Sequence, residues 1–184
     1  MNIGVWVLIG VVALVVLYII VVFNGLILLK NRAENAWSQI DVQLKRRFDL
    51  IPNLVETVKG YAKHEQGTFK MVTEARSLMN KATSLGEKAK ADNMLSQAMK
   101  SLFAVAEAYP KLEANQNFMQ LQEELSGTEG KIAFARQFYN DTVMSFNTKL
   151  QVFPTNTFGK LLGFQEKEFF KTEGVERKAV KVQF

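Results

Sequence analysis

The chain of 184 residues offers few side chains for chemistry, because it contains one His and no Cys. The absence of Cys excludes thiol nucleophiles, disulfides and Cys-ligated zinc. The Glu-x-x-His motif of carboxylate-bridged di-metal bundles is missing as well, since Tyr61 stands three residues before His64. No P-loop, Gly-x-Ser-x-Gly or His-Glu-x-x-His sequence occurs. We therefore expect no enzyme activity, no metal and no cofactor.

The densest basic cluster is Lys45-Arg46-Arg47. Arg47 stands beside an apolar stripe of a predicted helix, so we expect it to pair with a carboxylate of a facing helix. Lys45 and Arg46 are expected to be exposed and to offer a binding site for an acidic partner. Lys45 lies sixteen residues beyond Leu29, which is roughly 24 Å along an upright helix. That distance exceeds two Debye lengths at physiological salt, so strong attraction to lipid headgroups is not expected.

A further set of polar residues follows the apolar stripes of several predicted helices. Arg136 stands next to Ala135 on the last stripe, and Tyr139-Asn140 come one turn later. Polar residues of this kind fix the register of packed helices when each buried group finds a partner. They would equally line a ligand site, although register is the favoured role. The predicted polar layer consists of Arg47, Asp49, Asn53, Asn115, Glu129, Arg136, Tyr139 and Asn140.

An apolar segment at residues 3–23 is the first element that must position these side chains. It contains 21 residues without a charge and would be roughly 31 Å long as a helix, about the thickness of the hydrocarbon core of a bilayer. A basic start and a small-x-small cleavage site are both missing, which favours an uncleaved anchor at residues 1–29 over a signal peptide. The segment predicts a single-pass membrane protein, and Lys30 and Arg32, which follow it, set the orientation by the positive-inside rule. Its short N-terminus would lie outside and its C-terminal domain in the cytoplasm.

Beyond the anchor, apolar residues recur at intervals of three and four, which is the pattern of amphipathic helices. Long helices joined by short turns predict an all-α fold, with an N-terminal transmembrane helix followed by an antiparallel four-helix bundle of long helices. The bundle is expected at residues 30–157, and a short amphipathic segment and tail at 158–184. Only Asn24-Gly25 interrupts the pattern between the anchor and the first stripe, so the two segments could form one helix.

Turn and capping residues set the expected ends of these helices. Pro52 removes a backbone hydrogen bond, so the sequence predicts a kink or a local break there. Thr68 would cap the second helix, and a loop at residues 85–92 would precede a third helix capped by Asp92 or Asn93. The other expected boundaries are Pro110, where a helix breaks or restarts, Ser126-Gly127 with Thr128 as the next N-cap, and Phe153-Pro154 at the end of the last long helix.

The charge distribution argues against nucleic-acid binding, although the net charge is +5. Residues 30–64 carry seven Lys and Arg against four Asp and Glu, and residues 158–184 carry six against four. Residues 65–157 are balanced at ten and ten. A nucleic-acid surface needs a continuous basic face with accessible aromatic side chains, and this pattern does not predict one.

A series of short motifs extends over most of the chain. The motifs are Asn31-Arg32, Ala36-Trp37, Ile40 to Leu44, Arg46 to Val55, Val58 to Tyr61, His64-Glu65, Ala75-Arg76, Tyr109-Pro110, Leu112, Ala114-Asn115, Phe118, Leu121-Gln122, Thr128-Glu129, Arg136, Tyr139-Asn140, Asn147 and Phe153-Pro154. In type and order they resemble the motifs of the LemA family of bacterial membrane-anchored proteins. The resemblance implies a location in the bacterial cell membrane, an N-terminal span and a cytoplasmic four-helix bundle, and it implies no reaction or cofactor.

Our leading hypothesis from the sequence is a membrane-tethered helical interaction or scaffold protein. It would contact the lipid bilayer through residues 3–23 and bind a membrane or cytoplasmic protein, or copies of itself. A different hypothesis is a ligand-binding or catalytic bundle that uses the polar layer around Asp49, Arg136 and Tyr139. A third is a membrane oligomer assembled through the spans.

Overall fold

The computed structural model describes residues 2–171, and its first element is one continuous helix, α1, at Ile3–Lys59. The N-terminal part of α1 is long and apolar enough to cross a membrane, and most of its large apolar side chains are exposed. The anchor and the first amphipathic stripe are therefore parts of the same helix. This confirms the predicted membrane-length N-terminal helix.

Pro52 lies inside α1 and does not end it. The local break that the sequence allowed is absent, while the kink stays a prediction. A proline in a helix removes one backbone hydrogen bond and clashes with the preceding turn. Ile51 and Leu54, on either side of Pro52, are fully buried in the core, so packing stabilises the helix across this position.

Further helices follow α1 within the described residues, and that part of the chain contains no strand. The helices are α2 at Gln66–Lys81, α3 at Leu85–Glu107, α4 at Pro110–Glu113, α5 at Gln116–Gln151 and α6 at Thr155–Leu161. The predicted all-α class is confirmed.

Backbone contacts divide the described chain into two compact units. The bundle unit consists of residues 39–135 together with 170 and 171, and its core is built from four long helices. Fully buried apolar side chains from each of these helices share that core, among them Leu54 of α1, Val72 of α2, Leu102 of α3 and Phe118 of α5. The four-helix bundle predicted from the apolar periodicity is therefore present.

The anchor unit consists of residues 2–38 and 136–169. It contains the apolar part of α1, the C-terminal part of α5, and α6. Val22 and Leu26 of α1 are buried in its core with Phe146 and Leu150 of α5. Protein thus covers one side of the apolar segment at the end nearest to Lys30, while Val21 and Leu28 remain exposed there.

Two predicted boundaries are wrong because helices extend further than the turn residues indicated. Residues 85–92, expected as a loop, form the start of α3, and Asp92 is not its N-cap but a fully buried residue inside it. α5 runs through Ser126-Gly127 without a break, and the Thr128 hydroxyl donates to the carbonyl of Glu124 at 2.7 Å instead of capping. Helical glycine costs about 1 kcal/mol. Burial of Leu125 and Thr128 on the two sides of Gly127 offsets that cost.

The N-terminal end of α2 also differs, since α2 begins at Gln66 and contains Thr68, the expected cap. Pro110 occupies the first turn of α4, so a helix restarts there, which is one of the two roles predicted for it. Proline is suited to this position because it lacks the N–H group that is unpaired at the start of a helix.

The start of α3 is stabilised by a capping box. The Ser84 side chain accepts a hydrogen bond from the Glu87 N–H at 3.2 Å, and the Glu87 carboxylate accepts one from the Ser84 N–H at 3.0 Å. The carboxylate also accepts from the N–H of Thr83 at 2.8 Å. These donors lower the pKa of Glu87 to about 2 from its ordinary 4.5.

The Glu87 carboxylate is expected to make the stability of α3 dependent on pH. Because the pKa is lowered in the folded state, its contribution is complete above about pH 4.5 and is lost as the pH falls through about 2. Glu87→Gln keeps an acceptor and removes the charge, so we expect a shallower loss of thermal stability across this range than in the wild type. Glu123→Gln, at an exposed site on α5, is the matched control. Equal pH profiles for the two variants would contradict the capping assignment.

Candidate functional site

Arg47 is the centre of a buried ion-pair cluster in the bundle unit. Its side chain is 1% exposed, and its Nη1 donates to Oδ1 of Asp92 at 2.7 Å. Its Nη2 forms an ion pair with the half-exposed carboxylate of Glu129. Burial lowers the pKa of Arg47 to about 10, so the guanidinium stays charged at neutral pH and requires these carboxylates. The cluster connects α1, α3 and α5.

A half-open cavity of about 220 Å³ adjoins the cluster. Its lining includes Arg47, Ser96, Gln122 and Glu129. The Ser96 hydroxyl lies 3.4 Å from Oε1 of Glu129, and the Arg47 Nε–H has no hydrogen-bond partner among residues 2–171. The cavity lining therefore carries two basic groups, Arg47 and Lys100, and one carboxylate, that of Glu129. The lining contains no histidine that could activate a serine as a nucleophile.

The structure does not bring Asp49 and Asn53 into this cluster. Both are exposed, because they stand two residues from the buried Arg47 and Ile51 and so lie on the opposite side of α1. Asn115 stands at the start of α5, where its Oδ1 accepts from the N–H of Phe118 at 3.1 Å and its amide donates to the Tyr61 hydroxyl at 3.0 Å. Asn115 therefore acts as a helix cap.

Tyr139 lies in the anchor unit, where its hydroxyl donates to the carbonyl of Glu168 at 2.9 Å. Burial and the nearby Glu168 carboxylate raise its pKa, and its ring makes an edge contact with Trp37 at 6.0 Å. Arg136 and Asn140, half-buried on the same helix, also make polar contacts. The eight residues of the predicted layer are thus distributed over separate groups.

Asp92 and Asn147 form buried polar contacts that the sequence reasoning did not assign to a site. Asn147 of α5 donates from Nδ2 to the carbonyl of Lys167 and accepts from the Lys167 N–H, both at 2.9 Å. This pair of bonds holds the chain that follows α6. Their spacing could have indicated that both residues lie on buried helix faces. Asn147 stands four residues after the buried Val143, and Asp92 stands three residues before the buried Leu95.

Lys45 borders an open groove of about 250 Å³ in the bundle unit. The lining combines apolar residues of two helices, Leu44 and Phe48 of α1 and Met79 of α2, with charged residues. The charged residues are Asp41, Lys45 and Lys88, of which Asp41 and Lys88 form an ion pair. Apolar side chains with charges beside them are typical of a protein-docking surface.

Arg46 does not line the groove and reaches Glu124 only at 3.9 Å, with half of its side chain exposed. Val42, one turn before Lys45 and Arg46, is 62% exposed despite being apolar. Within the described residues, no group of three His, Asp or Glu side chains is placed to hold a metal ion.

An apolar helix of membrane length followed by a helical bundle defines a membrane-anchored all-α protein. The model of the LemA family matches residues 36–184, which is most of the chain. The protein therefore belongs to the LemA family, as its motifs indicated.

Related proteins match over a similar share of the chain. Protein LemA of Metamycoplasma hominis is 28% identical over 155 residues, which cover 84% of this chain and 71% of that protein. Magnetosome protein MamQ 2 of Paramagnetospirillum magneticum is 22% identical over 175 residues, covering 81% of this chain and 64% of the relative. Magnetosome protein MamQ of Magnetospirillum gryphiswaldense is 21% identical over 174 residues, covering 80% and 64%. The chain thus matches less than two thirds of the MamQ proteins.

Proposed function

We propose that this protein is a membrane-tethered interaction module whose bundle unit binds an acidic segment of another protein. The observation that carries the proposal is the groove beside Lys45, which combines an apolar lining with an exposed ammonium group. The half-buried side chains of Phe48 and Met79 would contact apolar residues of the partner, while Lys45 would pair with its carboxylates. Arg46 and the exposed Val42 extend this surface along α1.

The membrane anchor supports such a role even for a weak interface. Confinement to one surface raises the effective concentration of two membrane-bound partners, so that a modest intrinsic affinity is sufficient. Lys30 and Arg32 directly follow the apolar segment, and the positive-inside rule then favours a cytoplasmic bundle unit. For the domain boundaries, we propose those predicted from the sequence: an anchor at residues 1–29, a bundle at 30–157, and a short amphipathic segment and tail at 158–184.

A non-catalytic role is favoured by the chemistry of the buried cluster. The Arg47 guanidinium is bound by both of its carboxylate partners, and a guanidinium does not transfer protons at neutral pH. The cavity beside Arg47 and the groove beside Lys45, of about 220 and 250 Å³, are each smaller than the roughly 300–1,000 Å³ of typical small-molecule sites. The hypothesis of a ligand site around Asp49, Arg136 and Tyr139 has less support, because Asp49 is exposed and the Tyr139 hydroxyl is already bonded to Glu168.

Charge reversal at the groove is expected to abolish partner capture. We would crosslink the full-length protein in its native membranes, identify the products by mass spectrometry, and compare wild type with Lys45→Glu and Arg46→Glu. We expect one recurrent partner whose crosslink is lost in Lys45→Glu, which borders the groove, and reduced in Arg46→Glu. Lys111→Glu, at an exposed position of α4, makes the same charge change elsewhere and should keep the crosslink.

Other results would replace the proposal by one of its alternatives. Crosslinks only between copies of this chain would indicate a self-assembling membrane oligomer. Gel filtration of the detergent-extracted protein would then give its size. A crosslink that survives in Lys45→Glu would place the partner elsewhere on the bundle unit. The complete absence of a specific crosslink would favour the ligand hypothesis, to be followed by a binding screen.

A further inference from the structure

The uncharged part of α1 is longer than a bilayer requires. Residues 3–29 contain no Lys, Arg, Asp or Glu and form 27 residues of continuous helix, roughly 40 Å in length. The hydrocarbon core of a bilayer is about 30 Å thick. About 10 Å of apolar helix therefore remains, and we assign it to the end nearest Lys30, at the level of the headgroups. At this end, Val22 and Leu26 pack against Phe146 and Leu150 of the anchor unit.

The α6 segment, residues 152–162, lies at the same level. The Tyr18 ring makes an edge contact with Phe158 at 5.7 Å, and the hydroxyl oxygens of Tyr18 and Thr155 are 3.4 Å apart. Tyr18 stands twelve residues before Lys30, the first charged residue, which corresponds to roughly 18 Å of helix. The α6 segment therefore lies beside the uncharged part of α1, and its contact with Tyr18 is well away from Lys30.

Gly159 allows α6 to approach this part of the protein closely. It is buried, and a Cβ atom at this position would lie 2.7 Å from Cδ2 of Leu150 and 3.6 Å from Cδ1 of Leu26. Phe158 packs against the same core. One side of α6 is therefore fixed against the helix that enters the membrane.

The other side of the α6 segment exposes large apolar side chains. Phe153 is 79% exposed and Leu161 is 82% exposed, and Val152 and Leu162 are also exposed. Residues 149–162 contain two lysines, Lys149 and Lys160, and no acidic residue. Exposed apolar side chains with basic residues, on a short helix beside a membrane span, are typical of segments that lie in the interface of a bilayer.

We propose that the α6 segment is a second membrane-binding element, which inserts into the headgroup region of the leaflet surrounding the Tyr18 end of the span. Phe153 and Leu161 contact the upper part of the acyl chains, and the Lys160 ammonium pairs with lipid phosphates. The lipid surface is the occupant because the α6 segment packs against Tyr18, which lies within the uncharged helix that is long and apolar enough to cross a membrane. The inference depends on the membrane span and does not depend on the protein partner proposed above.

The test measures membrane depth at single introduced cysteines, since the natural chain has none. The full-length variants Phe153→Cys and Leu161→Cys are labelled with an environment-sensitive fluorophore and reconstituted in vesicles of phosphatidylcholine and phosphatidylglycerol. Quenchers are attached to the lipid at shallow or deep acyl positions, and iodide serves as the quencher in water. Val12→Cys in the span and Lys111→Cys on α4 are the reference sites for lipid and water.

We expect both α6 sites to be quenched by the shallow lipid quencher and protected from iodide, at a depth of about 5–10 Å below the headgroup boundary. Val12 should respond most to the deep quencher, and Lys111 only to iodide. Leu161→Glu, introduced into the Phe153→Cys variant, should reduce lipid quenching at residue 153 while the helix content by circular dichroism is unchanged.

Three results would overturn the proposal. Quenching at residues 153 and 161 by iodide alone, as at Lys111, would place the segment in water. Protection from iodide without lipid quenching, increasing with protein density in the vesicle, would show that a second copy covers the segment. Loss of lipid quenching at Val12 would remove the span on which the inference depends, while leaving the partner site to its own test.

Discussion

Replacing Asp92 by Ala is expected to lower the free energy of unfolding by about 3–5 kcal/mol. Asp92 is fully buried, and its Oδ1 accepts a hydrogen bond of 2.7 Å from Arg47, which is also buried. Without the carboxylate, Arg47 would be a buried charge that has lost its buried partner, because a guanidinium remains protonated at neutral pH. The half-exposed Glu129 would be its remaining partner. The loss is therefore larger than for an ordinary hydrogen bond, which contributes about 1 kcal/mol.

The matched control is Asp41→Ala. Like the Arg47–Asp92 pair, the ion pair between Asp41 and Lys88 joins α1 to α3, but the Asp41 side chain is half exposed. Surface ion pairs contribute about 0–1 kcal/mol, since water and salt screen them. Urea titration of the full-length protein in mild detergent, followed by circular dichroism, would compare the two variants. Equal destabilisation would mean that Arg47 is not held in a dry environment.

A double variant separates the charge from the packing. Arg47→Met combined with Asp92→Leu removes both buried charges and retains apolar volume. Replacement of buried ion pairs by apolar residues is often neutral or stabilising. We therefore expect the double variant to recover most of the stability that Asp92→Ala loses. If it is as unstable as the single variant, the cluster stabilises the bundle unit through geometry that apolar residues cannot replace.

The anchor and the long helices could be predicted from the sequence because each depends on local patterns. The first 29 residues lack charges, and the stripe that contains Ile51 and Leu54 repeats at three and four residues. Both patterns follow from burial of one helix face in lipid or protein. The family resemblance was equally visible, since its motifs extend over most of the chain.

The helix ends were less predictable because turn residues were weighed without the packing around them. Residues 85–92, which include Gly86, were expected to form a loop, although Ser84 and Glu87 have the spacing of a capping box and α3 begins there. Gly127 suggested a turn, although the buried residues beside it continue α5. A single glycine disfavours a helix by less than the burial of one large side chain favours it.

The polar contacts depended on which helix faces which, and periodicity alone does not provide this. The sequence indicated that Arg47 needs a carboxylate, but it did not identify Asp92 as that partner. Asp92 was expected to cap a helix, because residues 85–92 were expected to form a loop. Asp49 and Asn53 are close to Arg47 in the sequence and lie on the other side of α1. Tyr139 bonds to a backbone carbonyl of Glu168, a partner that has no signature in the sequence.

Replacing Phe146 by Ala is expected to have an effect of similar size in the anchor unit. Phe146 is 1% exposed and packs with Val22, Leu26 and Leu150, and its ring lies 6.3 Å from that of Phe164. Truncation of a buried phenylalanine to alanine costs about 3–5 kcal/mol, through lost burial and the remaining cavity. Met144→Ala, two residues away on the exposed side of α5, should change stability by less than about 0.5 kcal/mol.

Trp37 provides a local signal for this experiment, because its ring contacts Tyr139 within the anchor unit. In a Trp6→Phe background it is the only tryptophan, so its fluorescence during urea titration reports on the anchor unit. We expect the midpoint of this signal to fall in Phe146→Ala and to stay unchanged in Met144→Ala. An unchanged midpoint in both variants would mean that acyl chains or detergent, and not Phe146, keep Val22 and Leu26 away from water. A fall specific to Phe146→Ala would show that protein packing takes over from lipid at this end of the apolar helix.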